Sequence, residues 1–214
     1  MPIVNIGRFD MSILIAVVKS DYVALCTDCQ HTHMETGLPG ELNLPKIECF
    51  SENLYIAHGG SAYIPNMCMR ILQKLYQNND ITDESITDVV AALVKAYEYM
   101  IQEEPDIEKK ATSKFIVAGT LDNGNKGLGV VENSPNGIVF RFVEGNDSPQ
   151  VVIFQPTDMS YTDCYDIVIG EYGKVQSATF SEKVEVALRE AVKVVSEKSH
   201  LVSKDSLFFS VSST

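Results

Sequence analysis

Residues 11–62 read MSILIAVVKSDYVALCTDCQHTHMETGLPGELNLPKIECFSENLYIAHGGSA, and the fold turns on how this stretch is parsed. Two apolar runs, 13–18 and 22–27, flank the short polar turn 19–21, which predicts a β-hairpin. Neither run alternates strictly, so both strands are expected to be covered on both faces. Residues 34–45 carry two glycines and two prolines and predict a loop. A second strand pair is expected at 47–50 and 54–57, ahead of the step Gly59-Gly60. Three chemically notable residues punctuate the stretch. Ser12 opens the first run, Asp28 closes the second, and Lys46 stands just before the third.

After Gly60 the apolar period changes from strand to helix. Ile64, Met67, Cys68, Ile71, Leu72 and Leu75 recur at spacings of three and four, with Pro65 tolerated in a first turn. A second helix is expected with Thr82 or Asp83 as its cap and Ile86, Val89, Val90, Leu93, Val94 and Tyr97 as its stripe. Strands then follow at 115–118, 127–131, 138–143 and 151–154, with Asn123-Gly124 and Asn136-Gly137 as turns. Residues 165–169 read as a further short strand. Thr179, three residues before Glu182, has the form of a capping box opening a third helix through Val195. A strand at 207–211 closes the order. Hairpin-linked strands buried on both faces, with helices left for the outside, predict an α+β fold. Its form is a four-layer α/β/β/α sandwich of two stacked, mostly antiparallel sheets. No repeat or linker interrupts residues 1–214, so one domain is expected.

Composition narrows the function. A net charge of −12 disfavours nucleic acid, which needs a basic face. No apolar run approaches the roughly 18 residues that cross a bilayer, and no secretory signal is expected, so no membrane partner is either. Five cysteines, an odd and small number, argue for a reducing, cytoplasmic setting rather than a disulfide framework.

The element order together with residues 11–75 resembles the proteasome β-subunit family and its bacterial two-component protease relative, which are N-terminal-nucleophile hydrolases. Laid on this chain, the family's terminal threonine falls on Ser12 and its aspartate on Asp28, in Thr27-Asp28-Cys29-Gln30. After a two-residue insertion in the loop 34–45, its lysine falls on Lys46 and its oxyanion-hole glycine on Gly60. The resemblance implies hydrolysis of a peptide or amide bond. Ser12 would be the nucleophile, its freed α-amine the base, Lys46 and Asp28 the tuning pair, and the Gly60 N–H the oxyanion donor. It further implies a substrate pocket lined by His31, His33 and His58, no cofactor, and a ring-forming oligomer. The chain departs from the family at three places. Asp10-Met11, not glycine, precedes the nucleophile position, and serine replaces threonine there. Residues 196–205, SEKSHLVSKD, lack the family's supporting Ser-Gly step. Residues 1–11 thus read as a propeptide or extension, or Met11 as a start whose removal would expose Ser12.

Two alternatives stay open on the residues themselves. A non-catalytic subunit would keep the fold without freeing Ser12. A metal-binding module would use Cys29, His31 and His33, which share a parity in an extended segment and are suited to zinc.

Overall fold

The computed structural model describes residues 12–29, 46–60, 63–103, 113–134, 137–177 and 179–213. The strands are β1 (Leu14–Lys19), β2 (Tyr22–Asp28), β3 (Ile47–Ser51), β4 (Leu54–Gly60), β5 (Ser113–Thr120), β6 (Lys126–Ser134), β7 (Gly137–Glu144), β8 (Gln150–Phe154) and β9 (Ser206–Ser212). The helices are α1 (Tyr63–Gln77), α2 (Ile86–Glu103), α3 (Tyr161–Lys174) and α4 (Phe180–Ser196). One sheet has the order β8-β1-β2-β9 and the other β3-β4-β5-β6-β7. Every pairing in both is antiparallel.

The unbroken apolar character of β1 and β2 has the expected cause. Leu14, Ala16, Val18, Val23 and Leu25 face the other sheet and meet Ile47, Ala57, Ile116, Ala118, Leu128 and Val130. Their alternates Ile13, Ile15, Val17, Ala24 and Cys26 face α3 and α4. On the far side of the five-stranded sheet, Leu54, Ile56, Phe115, Val117 and Val131 pack on α1 and α2. Helices, sheet, sheet and helices therefore form the four-layer α/β/β/α sandwich. The close seat of α2 depends on Gly129, where an added Cβ would collide with the Val90 side chain.

Two local expectations are corrected. Residues 165–169, expected as a strand, lie inside α3. That helix buries only Cys164 and Val168, so its apolar residues display no inward stripe, and its start is set by Ser160, whose Oγ accepts from Asp163 N at 3.1 Å. The cap of α2 is neither Thr82 nor Asp83 but Ser85, whose Oγ accepts from Thr87 N at 3.1 Å. By contrast, Thr179 caps α4 as its spacing implies, accepting from Glu182 N at 3.3 Å. Thr179→Ala should cost about 1 kcal/mol. That corresponds to a fall of roughly 2–4 °C in Tm by differential scanning calorimetry for a chain of this size. The loop 34–45, Asn136 and the segment after Glu103 lie outside the described residues.

Candidate active site

Topology gathers several strand ends at one place. β1 begins beside the end of β2, with Leu14 opposite Thr27, and beside the end of β8, with Leu14 opposite Phe154. β9 begins beside the end of β2, with Ser206 opposite Asp28. Ser12 leads into β1 here. Lys46 arrives from the facing sheet, just ahead of β3, and its ammonium spans the two sheets. Its Nζ donates to Ser12 Oγ at 2.7 Å and to Asp28 Oδ1 at 2.9 Å. Both ionic partners are sequestered, with Lys46 3% exposed and Asp28 fully buried.

Such a pair is tolerable only if its remaining capacity is satisfied. Ile13 N donates to Asp28 Oδ1 at 3.2 Å and Ser203 N to Asp28 Oδ2 at 3.4 Å. Burial pulls the Lys46 pKa below the ordinary lysine value, and the charge and hydrogen bond of Asp28 oppose that fall. Ser12, half-buried, thus meets an ammonium that can stabilise an alkoxide. Directly behind Ser12 the main chain is clamped on both sides. Ile13 N is held by Asp28, and Ile13 O accepts from Thr27 Oγ1 at 2.7 Å.

Sequence reasoning missed the support from residues 196–205. No Ser-Gly step stands there, yet Ser203 does the supporting work with both its backbone and its hydroxyl. Cys29 N donates to Ser203 Oγ at 3.2 Å and to Asp205 O at 3.0 Å. The same loop is tied to the loop before α3. Ser199 Oγ donates to Asp158 Oδ1 at 2.7 Å, and His200 Nδ1 lies 3.1 Å from Asp158 Oδ2. The signal in the sequence is a cluster of short polar residues between α4 and β9, with no glycine among them.

Gly60 ends β4 with φ +93°, in the region that favours glycine. It lies opposite Ser113, whose N and O are both held by the Tyr97 hydroxyl of α2, at 3.0 and 2.9 Å. His58, two residues earlier, donates its N–H to Lys46 O at 2.9 Å. Its ring, 3% exposed, is 6.5 Å from that of Phe115, which meets Tyr97 edge-on at 5.4 Å. Helix α2 thereby fixes the strand that carries both Gly60 and His58. His31 and His33 lie outside the described residues.

The cysteines nearby are poor nucleophiles as they stand. Burial pushes the Cys26 thiol up to about 12. Burial and the neighbouring Asp28 raise that of Cys29, with Lys46 opposing. Among the described residues no group of three or more His, Cys, Asp or Glu converges as a metal site would require. No helix among them is long and apolar enough to cross a membrane. An open polar cleft lined by Ser20, Asn125, Glu144 and Asp147 lies at the other end of β1 from Ser12 and takes no part in this cluster.

No protein-family model matches the sequence, and no curated protein matches it. Among solved structures the fold is similar to Anbu (ancestral beta-subunit) from Yersinia bercovieri. The TM-score is 0.66 at 12% identity, over 94% of this chain and 81% of that one. It is also similar to eukaryotic HslV from Trypanosoma brucei, with TM-score 0.60 and 14% identity over 94% and 99% of the two chains. The Anbu complex of Pseudomonas aeruginosa, described as a helical assembly, gives TM-score 0.66 and 11% identity over 94% and 81%. The fold is that of the proteasome-like N-terminal-nucleophile hydrolases.

Proposed function

We propose that this chain is a proteasome-like hydrolase of the N-terminal-nucleophile class, cleaving peptide or amide bonds through Ser12. The observation that carries this reading is the unbroken contact from Ser12 Oγ through Lys46 Nζ to Asp28 Oδ1, at 2.7 and 2.9 Å. Once Ser12 is terminal, its α-amine takes the hydroxyl proton as Oγ attacks the substrate carbonyl. The Lys46 ammonium, held in place by Asp28, lowers the proton affinity of that amine and stabilises the alkoxide. The Gly60 N–H meets the oxyanion. The amine then passes its proton to the leaving nitrogen, and water, deprotonated by the same amine, releases the acyl group from Ser12. No metal or cofactor enters these steps. The resemblance assigns contacts with the substrate side chain to His31, His33 and His58. The 214 residues act as one domain, work in the cytoplasm and assemble with further copies, a reading supported by the similar Pseudomonas aeruginosa structure, which is described as a helical assembly.

A second reading, a non-catalytic subunit of such an assembly, is favoured by one observation. Asp10-Met11 precedes Ser12 where the family has glycine, and an intact Met11–Ser12 bond leaves no amine to act as base. Intact mass of natively produced protein, before and after exposure to an acylating β-lactone, separates the two. Catalysis predicts a chain that begins at Ser12 and gains one probe mass on that residue. A full-length chain that takes up no probe would sink the catalytic reading and leave the scaffold.

A further inference from the structure

The rung of sheet that carries Gly60 is completed by a side chain rather than by a strand. His58 donates its N–H to Lys46 O at 2.9 Å, so along β4 the main-chain groups of His58 point toward β3 and away from β5. Strand alternation turns those of Gly60, two residues on, to the same side, where Lys46 stands. Ser113, facing Gly60 across the ladder, must then turn its own N–H and C=O away from β4. Among the described residues no strand receives them, because the ladder of β5 with β6 begins only at Lys114, opposite Glu132. The Tyr97 hydroxyl of α2 takes the place of that strand. It accepts from Ser113 N at 3.0 Å and donates to Ser113 O at 2.9 Å. The tyrosine itself is fully buried and meets Phe115 edge-on at 5.4 Å.

We propose, resting on the reading of Ser12 as the nucleophile, that Tyr97 is a positioning residue for the oxyanion donor. Its hydroxyl fixes the rung on which Gly60 stands, and with it the place where the Gly60 N–H meets developing negative charge. Gly60 closes β4 with φ +93°, a backbone region that glycine enters and leaves with little hindrance, so its position has to be imposed from outside. Its cross-strand neighbour can impose it only if that neighbour is fixed in turn. Ser113 is the first residue of β5, and without the Tyr97 hydroxyl its buried N–H and C=O would shift toward other partners. An oxyanion donor works at about 2.7–3.1 Å, and a displacement of about 1 Å costs roughly 100-fold in rate. Such a displacement weakens the transition state and not the bound substrate, so the loss falls on kcat and spares KM. Tyr97 thus acts through Ser113 and Gly60, at two removes from the reacting carbonyl.

The test compares natively produced wild type, Tyr97→Phe and Thr179→Ala in turnover of a fluorogenic peptide and in inhibition by a boronate of the same peptide. The tetrahedral boronate adduct places an oxygen where the oxyanion forms. Thr179→Ala controls for general loosening, since it removes the cap of α4 in the opposite outer layer, and circular dichroism verifies that each variant is folded. Tyr97→Phe should lower kcat about 10- to 100-fold, leave KM within about twofold, and weaken boronate inhibition by the same factor as kcat. Thr179→Ala should leave all three unchanged. Wild-type kcat and boronate affinity in Tyr97→Phe would overturn the positioning role while catalysis by Ser12 stands. So would a loss confined to KM, or one that Thr179→Ala shares equally. A wild type that turns over no peptide overturns both. Should Tyr97→Phe not fold, hydrogen exchange of wild type, read by mass spectrometry, decides the matter. The Ser113 amide should exchange as slowly as the interior amides of β5, and rapid exchange there overturns the hold.

Discussion

Ser12→Ala is expected to lower hydrolysis by on the order of 10,000-fold or more, to the residue of rate that binding and the oxyanion donor sustain without a nucleophile. The fold should hardly notice. Ser12 is half-buried and precedes β1, and the substitution removes one hydrogen-bond acceptor from Lys46 while Asp28 still holds the ammonium. Urea midpoints of wild type and variant should therefore agree closely, a separation that distinguishes a reacting residue from a structural one. Ser12→Thr restores the hydroxyl and should restore much of the turnover. If Ser12→Ala keeps wild-type turnover of a fluorogenic peptide, some other group is the nucleophile and the proposed mechanism fails.

Asp28→Ala should do the reverse and strike stability first. It leaves the Lys46 ammonium buried without its counter-charge, and it strips the acceptor from Ile13 N and Ser203 N. Breaking a buried pair from one side costs about 3–5 kcal/mol. For a chain of this size that is on the order of 10 °C in Tm. The loss depends on pH in a definite sense. Burial already depresses the Lys46 pKa, and Asp28 is the main influence opposing it, so the variant's lysine falls further. Between that lowered folded value and the ordinary lysine value, the folded chain binds fewer protons than the unfolded one. Stability of the variant therefore rises with pH across this window and is lost again as pH falls through the folded value. Urea titrations at several pH values from neutral to alkaline should show a steeper upward slope for Asp28→Ala than for wild type. Equal slopes, or a neutral-pH stability within 1 kcal/mol of wild type, would show that the pair is not coupled as described.

The sandwich was legible in the sequence because its deciding pair, β1 and β2, is buried on both faces, and double-sided burial leaves an unbroken apolar run. The Thr179 cap was legible because an N-cap is a local event, readable from a hydroxyl and a glutamate three residues apart. Helix α3 was not. Its stretch Tyr165-Asp166-Ile167-Val168-Ile169 is β-branched and apolar, and a helix that hides so little of itself leaves no inward stripe for a period count to find. The site divides in the same way. Ser12, Asp28 and Lys46 each sit at a strand boundary within one contiguous region, so spacing could align them. Ser203 acts mainly through its backbone N–H and a short hydroxyl, across a separation of 175 residues, and no residue-type pattern encodes a backbone donor. Asp158 and Ser199 meet only because the loops before α3 and after α4 converge.

The two-sided hold on Ile13 has a consequence for how such a protein can change over generations. Because amide and carbonyl are both anchored one residue past Ser12, the register of β1 is decided from that point onward. Under the proposed mechanism, a sequence change ahead of Ser12 would free or withhold the nucleophile while both anchors on Ile13 stay in place.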